Sequence, residues 1–346
     1  MTTEITTALS RWTGGAPAHA GALQMFPLFP ADGDVPAGAR YAVLREAMAA
    51  GTGSVTEVSA QGQVPLLRFR NDADQPVLLI DGEELVGCKQ NRILNVSILA
   101  PARGDIEIPV SCVEMGRWRS ESDRFHSEGR TMYAGLRASK LAQVSRSLHA
   151  SGAYQTDQSE IWASISAKSR RMGSRSATEA MSGLYEQREA EIKRISGALQ
   201  AQPGQIGAAF AVRGHLAGVE LFDASVTLAK YLPGLVAGYA LDALDDFEDI
   251  TPWAPDASAE DPTPRDAGHQ VSMQAVRELL ARIAAGTPTR QPGVGLGEDL
   301  RITDGGLVGA ALVDAGQVVH LCAFTDAAQE PSHVISRRRR RVSRPD

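Results

Sequence analysis

The sequence predicts an α+β fold with an antiparallel, β-rich first half built from hairpins, a helical middle and a second strand–helix–strand portion. Strand-type stretches crowd the region from residue 54 to residue 114, helical periodicity begins near residue 136, and strand-type stretches return near residue 205. Strands grouped in one part of a chain and helices in another favour an α+β fold over the regular alternation of a parallel α/β sheet.

The β-rich first half contains five apolar stretches that are bounded by turn-forming residues. They read SVTEV from Ser54, VPLLRF from Val64, PVLLIDGEELVG from Pro76, RILNVSIL from Arg92 and IEIPVSCVE from Ile106. Their β-branched content and their lengths predict strands. Asp81-Gly82 lies between two apolar runs and predicts a type I′ hairpin turn.

The middle region contains three stretches with apolar residues at helical spacing: LRASKLAQVSRSL, TDQSEIWASISAKSRRM and TEAMSGLYEQREAEIKRISGALQ. Asp157 begins the second, and Glu160 stands three residues later, which predicts a reciprocal cap. The third stretch predicts one amphipathic helix that ends at Pro203-Gly204.

The last portion returns to strands around two further helices. QIGAAFAVRGHLAGVELF predicts a hairpin that turns near Arg213-Gly214. We expect Asp223 to cap the helix that follows and Pro233 to interrupt it. A second helix runs through MQAVRELLARIAA, and EDLRI, GLVGAALVDAG and QVVHLCAF predict the closing strands.

No linker cleanly divides the 346 residues, so we expect a single α+β domain over 21–326. Residues 1–20 are expected to be a flexible N-terminus, and 327–346 a disordered arginine-rich tail. Residues 251–268 predict a long proline-rich acidic loop, a kind of loop that is either mobile or functional.

The charge is unevenly distributed along the chain. The net charge is −6, although the final SRRRRRVSRPD carries six arginines and one aspartate. The rest of the chain is therefore distinctly acidic, which argues against a nucleic-acid-binding domain. The tail by itself could contact the phosphates of a nucleic acid or an acidic partner, and a solvated terminus is the alternative.

Composition also excludes several classes of protein and site. No apolar run reaches the roughly 18 residues of a membrane span, and the N-terminus lacks a secretion signal. Three distant cysteines favour a reducing, cytoplasmic location over a disulfide scaffold. The seven histidines lack ligand spacing, so we predict no metal site. No residue pattern indicates a particular cofactor.

Two strands of the first half predict a candidate site at the end where they meet. Apolar residues on one face match when Leu94 is placed opposite Val110, Val96 opposite Ile108 and Ile98 opposite Ile106. Arg92 then faces Cys112, Gln90 faces Glu114, and Arg92 and Glu114 become diagonal neighbours.

Polar side chains collect at this hairpin end. We predict a ligand site made by Lys89, Gln90, Asn91, Arg92, Arg117 and Trp118, with Glu114 as a catalytic acid or base. The alternatives are a structural Glu–Arg ion pair and a core role for Trp118. Apolar neighbours favour Cys112 as an inert core thiol.

Several of these motifs also carry a family resemblance. GEELVGCKQNRILN, IPVSCVEMGRW, DQSEIW, PGQIGAAFAV and the closing GLGEDLRI, GLVGAALV and VVHLCAF resemble the ADP-ribosylglycohydrolase and rhodanese-phosphatase-superfamily-associated protein domain. The resemblance spans roughly residues 20 to 325. It implies a role in NAD or ADP-ribose metabolism beside partner enzymes that process ADP-ribose, and it assigns no catalytic residue.

Two hypotheses follow from the site and the resemblance. In the first, the protein binds an ADP-ribose or NAD-derived nucleotide or processes it as a hydrolase: arginine and lysine hold a diphosphate, and Trp118 stacks on a base. In the second, it is a non-catalytic binding or scaffold module that docks on a partner enzyme through the acidic loop or the arginine tail.

Overall fold

The computed structural model describes residues 4–31, 38–59, 62, 64–120, 122–245 and 270–328. The expectations for the loop at 251–268 and for the arginines of the tail lie outside these residues. The α-helices are α1 Glu4–Ser10, α2 Leu44–Ala49, α3 Ala134–Ser151, α4 Gln158–Arg171, α5 Ser182–Gln187, α6 Glu189–Ala198, α7 Ser225–Ala243 and α8 Met273–Ala285, and a 3₁₀ helix covers Asp326–Ala328.

The strands complete an α+β fold and confirm the predicted class. They are β1 Trp12–Gly14, β2 Ala18–Ala20, β3 Leu23–Pro30, β4 Ala42–Val43, β5 Gly53–Glu57, β6 Leu66–Asn71, β7 Val77–Leu79, β8 Glu84–Gly87, β9 Arg92–Leu94, β10 Ile98–Ala100, β11 Asp105–Cys112, β12 Phe125–His126, β13 Gly207–Val212, β14 His215–Phe222, β15 Thr289–Pro292, β16 Glu298–Asp304, β17 Leu307–Asp314 and β18 Gln317–Thr325.

The strands form one large antiparallel sheet and two smaller sheets. The large sheet has the order β1-β3-β13-β14-β18-β17-β16-β15, with β2 also paired to β3. A second sheet has the order β12-β8-β9-β11-β6-β5, and its edge strands β12 and β5 contact one another, so that it curls into a nearly closed barrel. A short sheet, β10-β7-β4, lies beside the barrel.

Apolar side chains divide into three buried clusters that follow these layers. One cluster packs α1 and α8 on one face of the large sheet. Another packs helices α3 to α7 against its opposite face. The third fills the barrel and covers β7 and β10. Because strand side chains alternate, each face of the large sheet is closed by its own set of helices.

A buried ionic network ties the barrel to the large sheet through α3. Arg137 donates to Glu220 of β14 at 2.6 Å and to Asp81 at 3.3 Å. Lys140, one turn further along, also contacts Asp81. His320 of β18 lies 3.2 Å from Glu220. These side chains are almost completely buried, so each charge depends on the others for solvation.

The predicted hairpin turn at Asp81-Gly82 is wrong. β7 pairs with β10 and β4, whereas β8 pairs with β9 and β12, so the dipeptide connects two different sheets. Gly82 does have a positive φ of 78°. A Cβ on Gly82 would lie 2.7 Å from Arg137 Nε, so this glycine permits close packing under the ionic network.

The helical predictions need four adjustments. Asp157 caps α4 as expected, but the Glu160 carboxylate accepts from Gln143 of α3 instead of closing a reciprocal box. The third predicted helix is two helices, α5 and α6, which separate at Arg188. α7 begins after Ala224 without a side-chain cap from Asp223, and Pro233 lies within it without ending it.

The N-terminal residues, expected to be flexible, contain α1, β1 and β2, and Ile5 and Leu9 of α1 are buried against α8. The turn at Arg213-Gly214 joins β13 to β14 as predicted, with both residues at positive φ. The division of the chain into domains stays a prediction.

Candidate ligand site at the mouth of the barrel

The predicted register is confirmed where the site lies. Arg92 of β9 faces Cys112 of β11, and Leu94 faces Val110. Beyond Leu94 the register is wrong, because Ile98 pairs with Leu79 of β7. Ile106 and Ile108 instead pair with Phe69 and Leu67 of β6. Alternation identifies the apolar face of a strand but not which neighbouring strand it meets.

Arg92 is the central residue of the site. Its side chain shares the inner face of the barrel with Cys112 and with Leu85 of β8, which both stand opposite it. Arg92 is 0% exposed. Its Nη1 donates to the Gln90 side chain at 2.9 Å, whereas Nε and Nη2 have no hydrogen-bond partner in the part of the chain that the structure describes.

The Trp118 ring packs against this guanidinium and against the ammonium group of Lys89. The centroid of the Trp118 ring lies 5.6 Å from Arg92 Cζ and 5.5 Å from Lys89 Nζ, which are cation–π distances. Trp118 is nevertheless 49% exposed. The alternative of a core role for this tryptophan is therefore wrong, and the ring presents flat aromatic surface beside two cations.

Glu57 at the end of β5 is a member of the site that sequence reasoning missed. Glu57 pairs with Leu67, and Leu67 pairs with Ile108, so Glu57 shares the inner face of the barrel with Cys112. Both of its carboxylate oxygens are buried and lack a hydrogen-bond partner among the described residues. The signal was present in SVTEV, where Glu57 follows Val55 on the apolar face of a strand.

A second polar group consists of Glu114, Arg117 and Asn91, which are linked to one another by hydrogen bonds. Arg117 Nη2 donates to the Glu114 carboxylate at 2.7 Å and to Asn91 Oδ1 at 3.1 Å. Arg117 Nη1 donates to the Cys88 carbonyl at 2.6 Å. The Asn91 backbone N–H donates to Glu114 at 3.1 Å. This group stabilises the turn that carries Lys89, where Cys88 has a positive φ of 44°.

The carboxylate of Glu114 is held in its charged form. Burial acts to raise its pKa, but hydrogen bonds from Arg117, from the Thr178 side chain and from the Asn91 backbone outweigh burial and lower the pKa. Glu114 lies beyond the end of β11 and forms a β-bridge with Ala180. Among the described residues, Glu114 and Arg92 form no ion pair.

The two thiols of the barrel are unsuited to nucleophilic chemistry. Burial raises the pKa of Cys112 to about 11, and Arg92 only partly opposes this. Burial likewise raises the pKa of Cys88 to about 11, with Glu57 acting in the same direction. Both thiols are therefore protonated near neutral pH, which agrees with an inert core cysteine at position 112.

Two adjacent glutamates, Glu83 and Glu84, have a pKa that is shifted toward neutrality. Burial raises the pKa of each to about 7. Ser127 donates to Glu83 at 2.6 Å, and Arg130 Nε lies 3.6 Å from Glu84. Both Glu84 oxygens lack hydrogen-bond partners within the described ranges.

The described residues provide neither a metal site nor a membrane-spanning helix. They contain no grouping of three His, Cys, Asp or Glu side chains that could hold a metal ion. No helix within them is both long and apolar enough to cross a membrane.

Comparison with known proteins identifies the family of the chain. No curated protein and no solved structure matches it. The family model described as ARG and Rhodanese-Phosphatase-superfamily-associated Protein domain matches residues 11–324, nearly the whole chain. The match covers helices α2 to α8, nearly all of the large sheet and every residue of the barrel site, and it leaves out α1 and the 3₁₀ helix. The chain therefore belongs to the family of ARG and Rhodanese-Phosphatase-superfamily-associated Protein domains.

Proposed function

We propose that the barrel mouth binds an anionic nucleotide-type ligand, an ADP-ribose or NAD-derived compound. The observation that carries this proposal is Arg92, whose guanidinium is 0% exposed while Nε and Nη2 donate to no described residue. An unsatisfied buried donor costs about 1–3 kcal/mol, and more when it is charged. Phosphate oxygens would accept from both nitrogens and would offset that cost.

Two neighbouring groups narrow the chemistry of the ligand. Lys89 adds a second cation near Trp118, which suits a group with more than one negative charge. Trp118 supplies an exposed aromatic face on which a nucleobase can stack. The family description names associated protein superfamilies, which supports association with partner enzymes, and we propose that those partners act on related compounds. An ADP-ribose-type compound combines the base and the phosphates that this arrangement fits.

The environment of Glu114 favours a positioning role for this residue over the catalytic role that the sequence predicted. The site is therefore better suited to binding than to catalysis. The lowered pKa of Glu114 and its contacts with Arg117 and Asn91 suit a residue that positions the Lys89 turn. A general acid requires a proton near neutral pH, which such a carboxylate does not hold.

The binding proposal is tested by thermal unfolding with ADP-ribose, NAD and AMP, each at millimolar concentration. A ligand that binds only the folded protein raises the melting temperature by mass action. We expect ADP-ribose to raise it for the wild type and not for Arg92→Met. The matched control is Arg68→Met, because Arg68 is exposed on β6 of the same barrel. No shift with any of the three ligands, or equal shifts for both variants, would contradict the proposal.

Hydrolysis of the same compounds is a second candidate function, favoured by the pKa of about 7 at Glu84. Glu186 contributes to that raised value and lines a cavity of about 630 Å³ beside α5. A buried carboxyl group of this acidity can donate or accept a proton near neutral pH. Chromatography of ADP-ribose incubated with wild type, Glu84→Gln and Glu114→Gln tests it. Turnover lost only in Glu84→Gln supports hydrolysis at Glu84, and the absence of wild-type turnover removes this candidate.

A further inference from the structure

We propose that Glu57 recognises the vicinal hydroxyl groups of a ribose, so that the site requires a sugar with both hydroxyls free. This inference rests on the proposed function. Arg92 and Lys89 would bind the phosphates of the ligand, and Glu57 would bind its sugar. Glu57 is a specificity-determining residue in this proposal.

The fold brings Glu57 to the site across the barrel. Strand pairing places Glu57 on the inner face, and β5, which ends at Glu57, contacts β12 where the sheet nearly closes. A Cβ built on Gly62 would lie 3.3 Å from both Glu57 Oε2 and Lys89 Cδ. Glu57 and Lys89 are therefore neighbours, although 32 positions separate them in the sequence.

Glu57 and Arg92, which carry opposite charges, both act on the thiols of Cys88 and Cys112. The carboxylate of Glu57 raises the pKa of Cys88 and of Cys112, and the guanidinium of Arg92 lowers the pKa of both. The two charged groups thus act on one small region of the barrel. Each retains two polar atoms that are buried without a hydrogen-bond partner among the described residues.

The chemistry of a carboxylate decides what can occupy the space beside Glu57. An ionised carboxylate accepts hydrogen bonds and donates none, so it repels phosphate oxygens and needs a donor from the ligand. Two adjacent hydroxyls supply one donor for each carboxylate oxygen. A ribose next to a phosphate places such a diol beside an anion. The diol would then contact Glu57, and the phosphate would contact Lys89 and Arg92.

Calorimetric titration of the full-length protein tests the inference. The probes are ADP-ribose and two analogues that lack the 2-hydroxyl, one on the adenosine ribose and one on the terminal ribose. We expect one analogue to bind the wild type roughly 10- to 100-fold more weakly, because a hydrogen bond to a charged group is lost. Glu57→Gln should bind ADP-ribose more weakly and should discriminate less between ADP-ribose and that analogue.

Glu107→Gln is the matched control, because Glu107 is an exposed glutamate on β11 of the same barrel. It should bind and discriminate like the wild type. If wild type binds ADP-ribose and both analogues equally, the diol inference is overturned while the proposed function stands. The diol inference is also overturned, and the proposed function stands, if Glu57→Gln distinguishes ADP-ribose from the analogues as strongly as wild type does. If wild type binds none of the three probes, both proposals are overturned.

Discussion

The Trp118 ring lies over the guanidinium of Arg92, with 5.6 Å between the ring centroid and Cζ. One residue is half-exposed and the other is completely buried, so the pair links the surface to the inside of the barrel. An aromatic ring over a cation compensates part of the lost hydration of the cation but satisfies none of its N–H donors. The pair is therefore both a cover for Arg92 and the outer wall of the proposed ligand site.

Replacing Trp118 by alanine should weaken binding of ADP-ribose about tenfold or more. Stacking of a base on an aromatic side chain contributes about 1–3 kcal/mol, and that contribution would be lost. Calorimetric titration measures the change. Met115→Ala is the control, since Met115 is an exposed apolar residue three positions away that has no aromatic ring on which a base could stack. Equal affinities for Trp118→Ala and wild type would show that the ring does not contact the ligand.

Replacing Glu114 by glutamine should destabilise the fold. Arg117 is nearly buried, and the change leaves its charge without the ion pair at 2.7 Å. Breaking a buried pair by removing one partner costs about 3–5 kcal/mol. Urea unfolding measures the loss, and Glu107→Gln should leave the midpoint unchanged. A midpoint for Glu114→Gln equal to that of wild type would contradict the structural role of this pair.

The stability of the protein should fall as the pH rises from about 5 to about 7. Glu84 has a pKa of about 7 in the folded chain against 4.5 when unperturbed. Between these values the folded state holds a proton that the unfolded state has lost, so raising the pH favours unfolding. The contribution is on the order of 3 kcal/mol, at about 1.4 kcal/mol per pKa unit. Glu83 acts with the same sign.

Urea unfolding of wild type and Glu84→Gln at pH 5 and pH 8 checks this linkage. The variant cannot ionise at this position, so the fall in its unfolding free energy between the two pH values should be smaller than that of wild type. Parallel pH dependence in the two proteins would mean that Glu84 does not titrate abnormally.

Two helical glycines should respond in opposite ways to alanine. A Cβ on Gly234 of α7 would lie 1.9 Å from the Gly129 carbonyl oxygen, so Gly234→Ala should force the backbones apart and cost at least 1–3 kcal/mol. A Cβ on Gly197 of α6 meets nothing within 4 Å. Gly197→Ala should stabilise the protein by about 0.5–1 kcal/mol. Melting temperatures of both variants measure the contrast, and a Gly234→Ala protein as stable as wild type would contradict the close helix–loop contact.

The part of the candidate site around Arg92 could be predicted from the alternation of side chains along two strands. The apolar rows around Leu94 and Val110 were sufficient to place Arg92 opposite Cys112. Lys89 and Trp118 follow from their short separation along the chain. The partner of Glu114 could not be found in this way. Because strand β11 ends at Cys112, strand alternation does not determine the direction of the Glu114 side chain two residues later.

The sequence by itself determined the fold class, five of the six strands of the barrel, the apolar face of these strands, and the Asp157 cap. The short strand β12, Phe125–His126, was not predicted. These properties depend on local periodicity and on hydrogen bonds between residues close in the chain. Only the tertiary structure decided that β11 meets β6 as well as β9, that Asp81 enters an ionic network, and that Glu57 lies beside Lys89. An apolar strand face can be buried by any other, so the choice of partner depends on closing the whole barrel at the lowest free energy.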